Sequence, residues 1–167
     1  KVEAFNNDVV FITASGYNMF AIKKDGTVWA WGYNYSGTQL GTGSGAAYET
    51  TPQRVKGGAS GSAYLTDIVQ VSAAGFHTLA LKANGTVYSW GYTGNWQGNL
   101  GALGDNTSGT VRSEPVQVHA GDIESSTGYA ANVVWVSAVN SSDHRYPYSH
   151  IVTADGNVYG FGMNNVG

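Results

Sequence analysis

Gly75-Phe76-His77-Thr78-Leu79-Ala80-Leu81-Lys82-Ala83-Asn84-Gly85-Thr86-Val87-Tyr88-Ser89-Trp90-Gly91 is written more than once in this chain. An earlier copy runs from Gly16 to Gly32 and ends Lys24-Asp25-Gly26-Thr27-Val28-Trp29-Ala30-Trp31-Gly32. A degenerate third ends Ala154-Asp155-Gly156-Asn157-Val158-Tyr159-Gly160-Phe161-Gly162. Leu79 and Leu81 fall on one face of an alternating run, as Phe20 and Ile22 do, with Ala80 and Ala21 opposite. Asp-Gly or Asn-Gly between two such runs predicts a hairpin, and a type I′ turn with positive φ at both positions is the expected form. The returning run carries Tyr88 and Trp90 on one face and Val87 on the other. Both faces are apolar, which predicts a strand clamped between neighbouring sheets.

The residues before each copy also align. Val9-Val10-Phe11-Ile12-Thr13-Ala14 corresponds to Ile68-Val69-Gln70-Val71-Ser72-Ala73 and to Val133-Val134-Trp135-Val136-Ser137-Ala138. Each passes from bulky β-branched residues to Ser, Thr and Ala, a taper suited to a strand at a crowded axis with small side chains inward. After each Trp-Gly comes a Gly-rich loop and then a short outer strand beginning at Pro52 or Pro115, since Pro is tolerated at strand starts and edges. The second loop is longer, and either Leu100-Gly101 or Leu103-Gly104 is the counterpart of Leu40-Gly41. The turn glycines Gly26, Gly85 and Gly156 recur at spacings of 59 and 71 residues. A period of this size, with a sheet's worth of strands per copy, predicts a propeller or an array.

Composition narrows function by exclusion. Charged residues make up 11% of the chain, against about 25% in an average soluble protein. The net charge of −3 with 8 Lys+Arg argues against a nucleic-acid backbone partner. With no cysteine, disulfides, thiolate zinc sites and thiol catalysis are ruled out. No apolar run is long enough to span a membrane as a helix. Few charges, many small polar residues and no Cys lean toward a secreted or cell-surface protein of bacterial type. The start at Lys1 reads as that of a processed or excised fragment.

Taken together, these residues resemble the repeat of the regulator of chromosome condensation family. The resemblance is carried by Gly75 and His77 followed by Ala80-Leu81, by Asn84-Gly85, and by Val87 through Trp90-Gly91. Asn34, Gly37 and Leu40-Gly41, and then Pro52 and Val55, complete the pattern. Asn18 stands where the family has His, Asn140 where it has Gly, and Phe161 where it has Trp. The resemblance implies an all-β fold of propeller blades, each of four antiparallel strands, and a seven-bladed ring in the family. This chain would hold about two and two-thirds blades, since seven of this period need about 400 residues. The expected organisation is a lead-in over 1–8, blade 1 over 9–56, a connector over 57–66, blade 2 over 67–118, a connector over 119–131 and a partial blade 3 over 132–167. Flanking repeats or copies of the chain would cover the open sheet edges.

No catalytic motif appears. Asp25 and Asp155 read as turn residues and His77 as a packed histidine bonding backbone near the axis. His150 occupies the position of Phe20 and Leu79, so it is either partly buried or marks a register shift. Gly41-Thr42-Gly43-Ser44-Gly45 has no following Lys and does not complete a phosphate cradle. The Asn-x-Ser/Thr triplets at Asn34, Asn84, Asn106 and Asn140 matter only in a eukaryotic secretory pathway. Candidate binding residues are Tyr35 and Trp96, which flank the Gly-rich loops, and His144, Arg145 and Tyr146 in the cluster Asp143–Tyr148, within an insertion around Asn140 to Tyr148. The expected function is a non-enzymatic scaffold, without cofactor or metal, that presents loops to a protein or glycan at a cell surface. The resemblance also allows a guanine-nucleotide exchange or chromatin-type regulator, or an enzyme inhibitor of the kind that acts on β-lactamase.

Overall fold

The computed structural model describes residues 5–92, 94–95, 98–99, 101–107, 111–121, 123, 127–139 and 147–162. Its strands, in chain order, are β1 (Val9–Ala14), β2 (Asn18–Lys23), β3 (Val28–Tyr33), β4 (Tyr48–Arg54), β5 (Ile68–Ala73), β6 (His77–Lys82) and β7 (Val87–Tyr92). The short pair β8 (Gly94–Asn95) and β9 (Gly98–Asn99) follows, then β10 (Val111–Gln117), β11 (Val133–Val139), β12 (Tyr148–Thr153) and β13 (Val158–Gly162). They form antiparallel sheets in the orders β1-β2-β3-β4, β5-β6-β7-β10 and β11-β12-β13, which are three successive blades. This is the all-β propeller architecture expected from the repeat. The third sheet has three strands among the described residues.

The hairpins differ from expectation in their turn. Only the glycine of each pair takes positive φ, at 74° in Gly26, 81° in Gly85 and 88° in Gly156. Asp25 Oδ1 accepts from the Thr27 backbone N–H at 3.0 Å and from its hydroxyl at 2.6 Å, and Asn84 does the same for Thr86. That side-chain turn keeps Asp25 and Asn84 out of the left-handed region, so the loop has three residues with a final left-handed glycine rather than two in a type I′ turn.

The first two turns dock on the next blade. The Gly26 carbonyl accepts from Ile68 N–H and the Gly85 carbonyl from Val133 N–H, both at 3.1 Å. The receiving residues, Asp67 and Asn132, are themselves left-handed at φ 61° and 57°. A Cβ on Gly26 would stand 2.8 Å from the Asp67 backbone nitrogen, whereas one on Gly156 would meet nothing within 4 Å.

The first strand of each blade is innermost. Gln70 of β5 bonds the Val136 backbone of β11 in both directions, at 2.9 and 3.2 Å, and the Ser72 hydroxyl accepts from Ala138 N–H at 2.9 Å. Two side chains thus take the place of a sheet ladder between blades. The expectation of small residues inward holds at Ala14, Ala73 and Ala138 but not along the whole strand. A β-bulge in each inner strand displaces Val10, Val69 and Val134, and all three are exposed.

Between sheets lie two apolar slabs. Phe20, Ile22, Val28 and Ala30 of blade 1 pack on Ala80, Tyr88 and Trp90 of blade 2. Leu79, Leu81 and Val87 of blade 2 pack on Val136 and Ile151 of blade 3, with Tyr159 and Phe161 against them. Big rings are wedged between sheets, as the two-sided strands required. Leu103-Gly104 is the counterpart of Leu40-Gly41: Gly104 backs onto Phe161 as Gly41 backs onto Trp90. Their carbonyls accept equivalent bonds, from His119 N–H at 2.8 Å and Lys56 N–H at 2.9 Å.

Candidate functional site

One end of the blades gathers the loops between first and second strands and between third and outer strands. The Gly-Tyr dipeptide closing β3 and β7 places Tyr33 and Tyr92 there, each with its N–H bonded back to the carbonyl of Tyr17 or Phe76, at 2.9 and 2.8 Å. Gly32 and Gly91 permit this because a Cβ on either would strike Asn18 or His77 backbone below 3 Å. The rings then meet: Tyr17 on Tyr33 at 5.9 Å between centroids, Tyr33 on Tyr48 at 5.1 Å, and Phe76 on Tyr92 at 6.2 Å.

Tyr35 joins the two sets. Its ring lies 6.2 Å from Tyr33 in its own blade and 6.1 and 6.0 Å from Phe76 and Tyr92 in the next. The result is a belt of six aromatic rings across two blades. Tyr17, Tyr35 and Tyr48 are exposed at 54%, 44% and 66%, while Tyr33, Phe76 and Tyr92 are half-buried beneath them.

The loop carrying Tyr35 is held by Asn34, which is fully buried. Its amide donates to the carbonyls of Ser44 and Ala46, at 3.2 and 3.0 Å, and accepts from Leu40 N–H at 3.1 Å. Burial of Asn34 also closes it to glycosylation in the folded chain. Gln39 anchors the same loop to blade 2, its side chain donating to the Gly75 carbonyl at 3.0 Å. The platform under the rings is therefore rigid, the condition for an aromatic surface to bind at low entropic cost.

Beside the belt, His77 is buried as expected, and its ring nitrogen pairs with a side chain of blade 3. His77 Nε2 lies 3.0 Å from Ser149 Oγ, which donates its one proton to the Ala102 carbonyl at 2.8 Å. Nε2 must then be the protonated nitrogen. Burial pushes the imidazole down to about 4, offset in part by the Tyr148 backbone, so His77 is neutral. It is a joint residue. His150 sits half-buried in register with Phe20 and Leu79, edge-on to Tyr148 at 5.3 Å, with no register shift. Asp25 is held below the usual carboxylate range by the Thr27 hydroxyl, consistent with a turn residue.

Of the binding residues read from sequence, Tyr35 is in the belt. Trp96, His144, Arg145 and Tyr146 lie outside the described residues. Tyr17, Tyr48 and Phe76 also belong to the belt, with no motif of their own to mark them. The available signal was the pairing of Tyr17 with Tyr33 and Phe76 with Tyr92 at one repeat position. A larger cleft of about 760 Å³ opens beside Gly104, His119, Tyr159 and Phe161, but its acid is occupied: Asp105 pairs with Arg112 and accepts from Thr107.

Two sequence profiles of the regulator of chromosome condensation (RCC1) repeat match the chain, one over residues 25–81 and the other over 9–38 and 68–95. Together they reach across more than half of it. The human protein described as probable E3 ubiquitin-protein ligase HERC6 is 33% identical over 170 residues, covering 100% of this chain and 14% of that protein. The human regulator of chromosome condensation is 29% identical over 160 residues, covering 96% of this chain and 32% of that protein. Among solved structures, Prp20p from Saccharomyces cerevisiae, described with its binding to Gsp1p and histones, superposes with a TM-score of 0.66 at 23% identity, over 94% of this chain and 33% of that one. The chain thus spans between 14% and 33% of the length of these proteins.

Proposed function

This chain belongs to the regulator of chromosome condensation (RCC1) repeat family, and from that premise we propose that it is a non-catalytic docking module whose tyrosine belt binds a protein partner. The observation that carries the reading is the continuous run of rings from Tyr48 to Phe76 on a hydrogen-bonded platform, with three tyrosines open to solvent. Tyrosine supplies large contact area at low rotamer cost and keeps a hydroxyl for polar pairing, which is why it is enriched at protein interfaces. A partner for Prp20p is named in its own description, and a propeller face built to bind protein is in keeping with that. The relatives above are eukaryotic, and the reading takes no bacterial or cell-surface setting from them.

The test is affinity capture with quantitative mass spectrometry, comparing the chain with its Tyr17→Ala/Tyr48→Ala variant. Both rings are exposed, so the melting temperature should be nearly unchanged while a specific protein disappears from the bound fraction. Equal recovery of every protein by the two baits would reject the belt as the docking face. A glycan array run in parallel decides the rival ligand class: saturable glycan binding abolished by the same pair of substitutions would replace the protein reading.

A further inference from the structure

A second feature lies along the outer strand of blade 1, below the tyrosine belt's own rings. Trp29, Thr42, Ser44, Glu49, Arg54 and Lys56, with Tyr64, line a cleft of about 410 Å³. Arg54 stacks its guanidinium on the Tyr64 ring at 4.1 Å, and Lys56 approaches the same ring at 5.4 Å. Stacking uses the face of a guanidinium and leaves its in-plane N–H donors free. The innermost of these, Nε, is buried and has no hydrogen-bond partner among the described residues.

An unmet buried donor on a charged group is costly unless something satisfies it. The chain is sparing with positive charge, having 8 Lys+Arg in all. Lys23, Lys82 and Arg112 are each consumed by an ion pair, with Asp8, Asp67 and Asp105. Arg54 and Lys56 have none among the described residues, yet converge on one ring. Glu49 is in the lining without bonding either cation, leaving the cleft with an excess of positive charge. The buried Thr42 and half-buried Ser44 hydroxyls add uncharged donors.

We propose that this cleft is a binding site for a carboxylate side chain of an acidic peptide segment, received in the plane of the Arg54 guanidinium with Lys56 as second cation. A carboxylate matches the planar fork bidentately, accepting from the terminal Nη–H donors that the stacking on Tyr64 leaves in plane. With two cations outside any close ion pair among the described residues, Arg54 acting on the Asp25 carboxylate only at longer range, the site suits an acidic side chain and not a nucleic-acid backbone, which needs a longer basic track.

The experiment follows the Arg54 Nε–Hε NMR signal of the whole chain at constant ionic strength. A glutamate-rich peptide with blocked ends, its glutamine analogue and inorganic phosphate are titrated separately. The acidic peptide should give a saturable shift that the glutamine peptide does not give, weakened about 10- to 100-fold by Lys56→Gln, the loss expected for one charged hydrogen-bond partner. Arg54→Lys keeps the charge and loses the fork; it should abolish peptide binding as judged by calorimetry, with an unchanged melting temperature. Wild-type affinity in Arg54→Lys would overturn the proposal, since charge alone would then suffice. So would saturation by phosphate with no response to the acidic peptide, or a shift that follows added sodium chloride equally. Because the tyrosine belt is untouched by these substitutions, failure here leaves the docking test standing, and the reverse.

Discussion

His77 shows how one position of a repeat can be filled by different chemistry. Asn18 holds the same place in blade 1, buried and bonded to Ser15, and Tyr148 holds it in blade 3. The imidazole has the sharpest consequence, because its folded value of about 4 lies below the ordinary 6.5. A lowered base is neutral in the fold and takes up its proton in the unfolded chain. Its contribution is therefore whole above pH 6.5 and is lost as pH falls toward 4. The loss should be about 3 kcal/mol, and His77→Asn should flatten that part of the stability–pH curve in urea titrations. The glycines give a second contrast. Gly26→Ala and Gly156→Ala both impose a left-handed alanine, costing about 1–2 kcal/mol. Only the first also drives a methyl into the Asp67 backbone, so its melting temperature should fall distinctly further.

At the scale of elements, the hairpins and the apolar faces of β2 and β3 were legible because alternation and Asp-Gly or Asn-Gly are local signals. The turn type was not: it depends on whether the Asp25 carboxylate reaches Thr27, a competition between side chain and backbone that dipeptide identity leaves open. Gln70 was harder still. In a β-branched run it looks like an interruption, and its partner is the backbone of Val136, 66 residues away. Gln70→Ala removes both bonds of that bridge and should cost about 1–3 kcal/mol. Hydrogen exchange at the Val136 amide should speed up while amides within β6 and β7 keep their protection; uniform loss of protection would mean the bridge is not local to the joint. The belt was half legible for a related reason. Tyr35 stood out on a Gly-rich loop, but its contacts with Phe76 and Tyr92 exist only once two blades are set side by side.

For the whole molecule, stability is a matter of nearest neighbours, as in other repeat arrays. Val28 and Val87 are 1% and 0% exposed, while Val158 at the same repeat position is 67% exposed, because the first two face a following blade. Val87→Ser should cost about 2–4 kcal/mol, and Val158→Ser in this chain less than about 0.5; calorimetric melting of the two variants checks the contrast. At the other end, Phe5 lies on Trp29 and Trp31, at 6.0 and 5.8 Å, in the place a preceding sheet would take. The two joints also satisfy one corresponding carbonyl differently. That of Gln39 accepts the Trp90 indole N–H at 3.0 Å, whereas that of Ala102 receives the Ser149 hydroxyl, since Phe161 has no proton to give. The repeats are consequently keyed to their own successors. A shuffled chain, with blade 3 spliced directly after blade 1, would pass every test of motif spelling and still mate the wrong lock, so the order of the copies is itself inherited information.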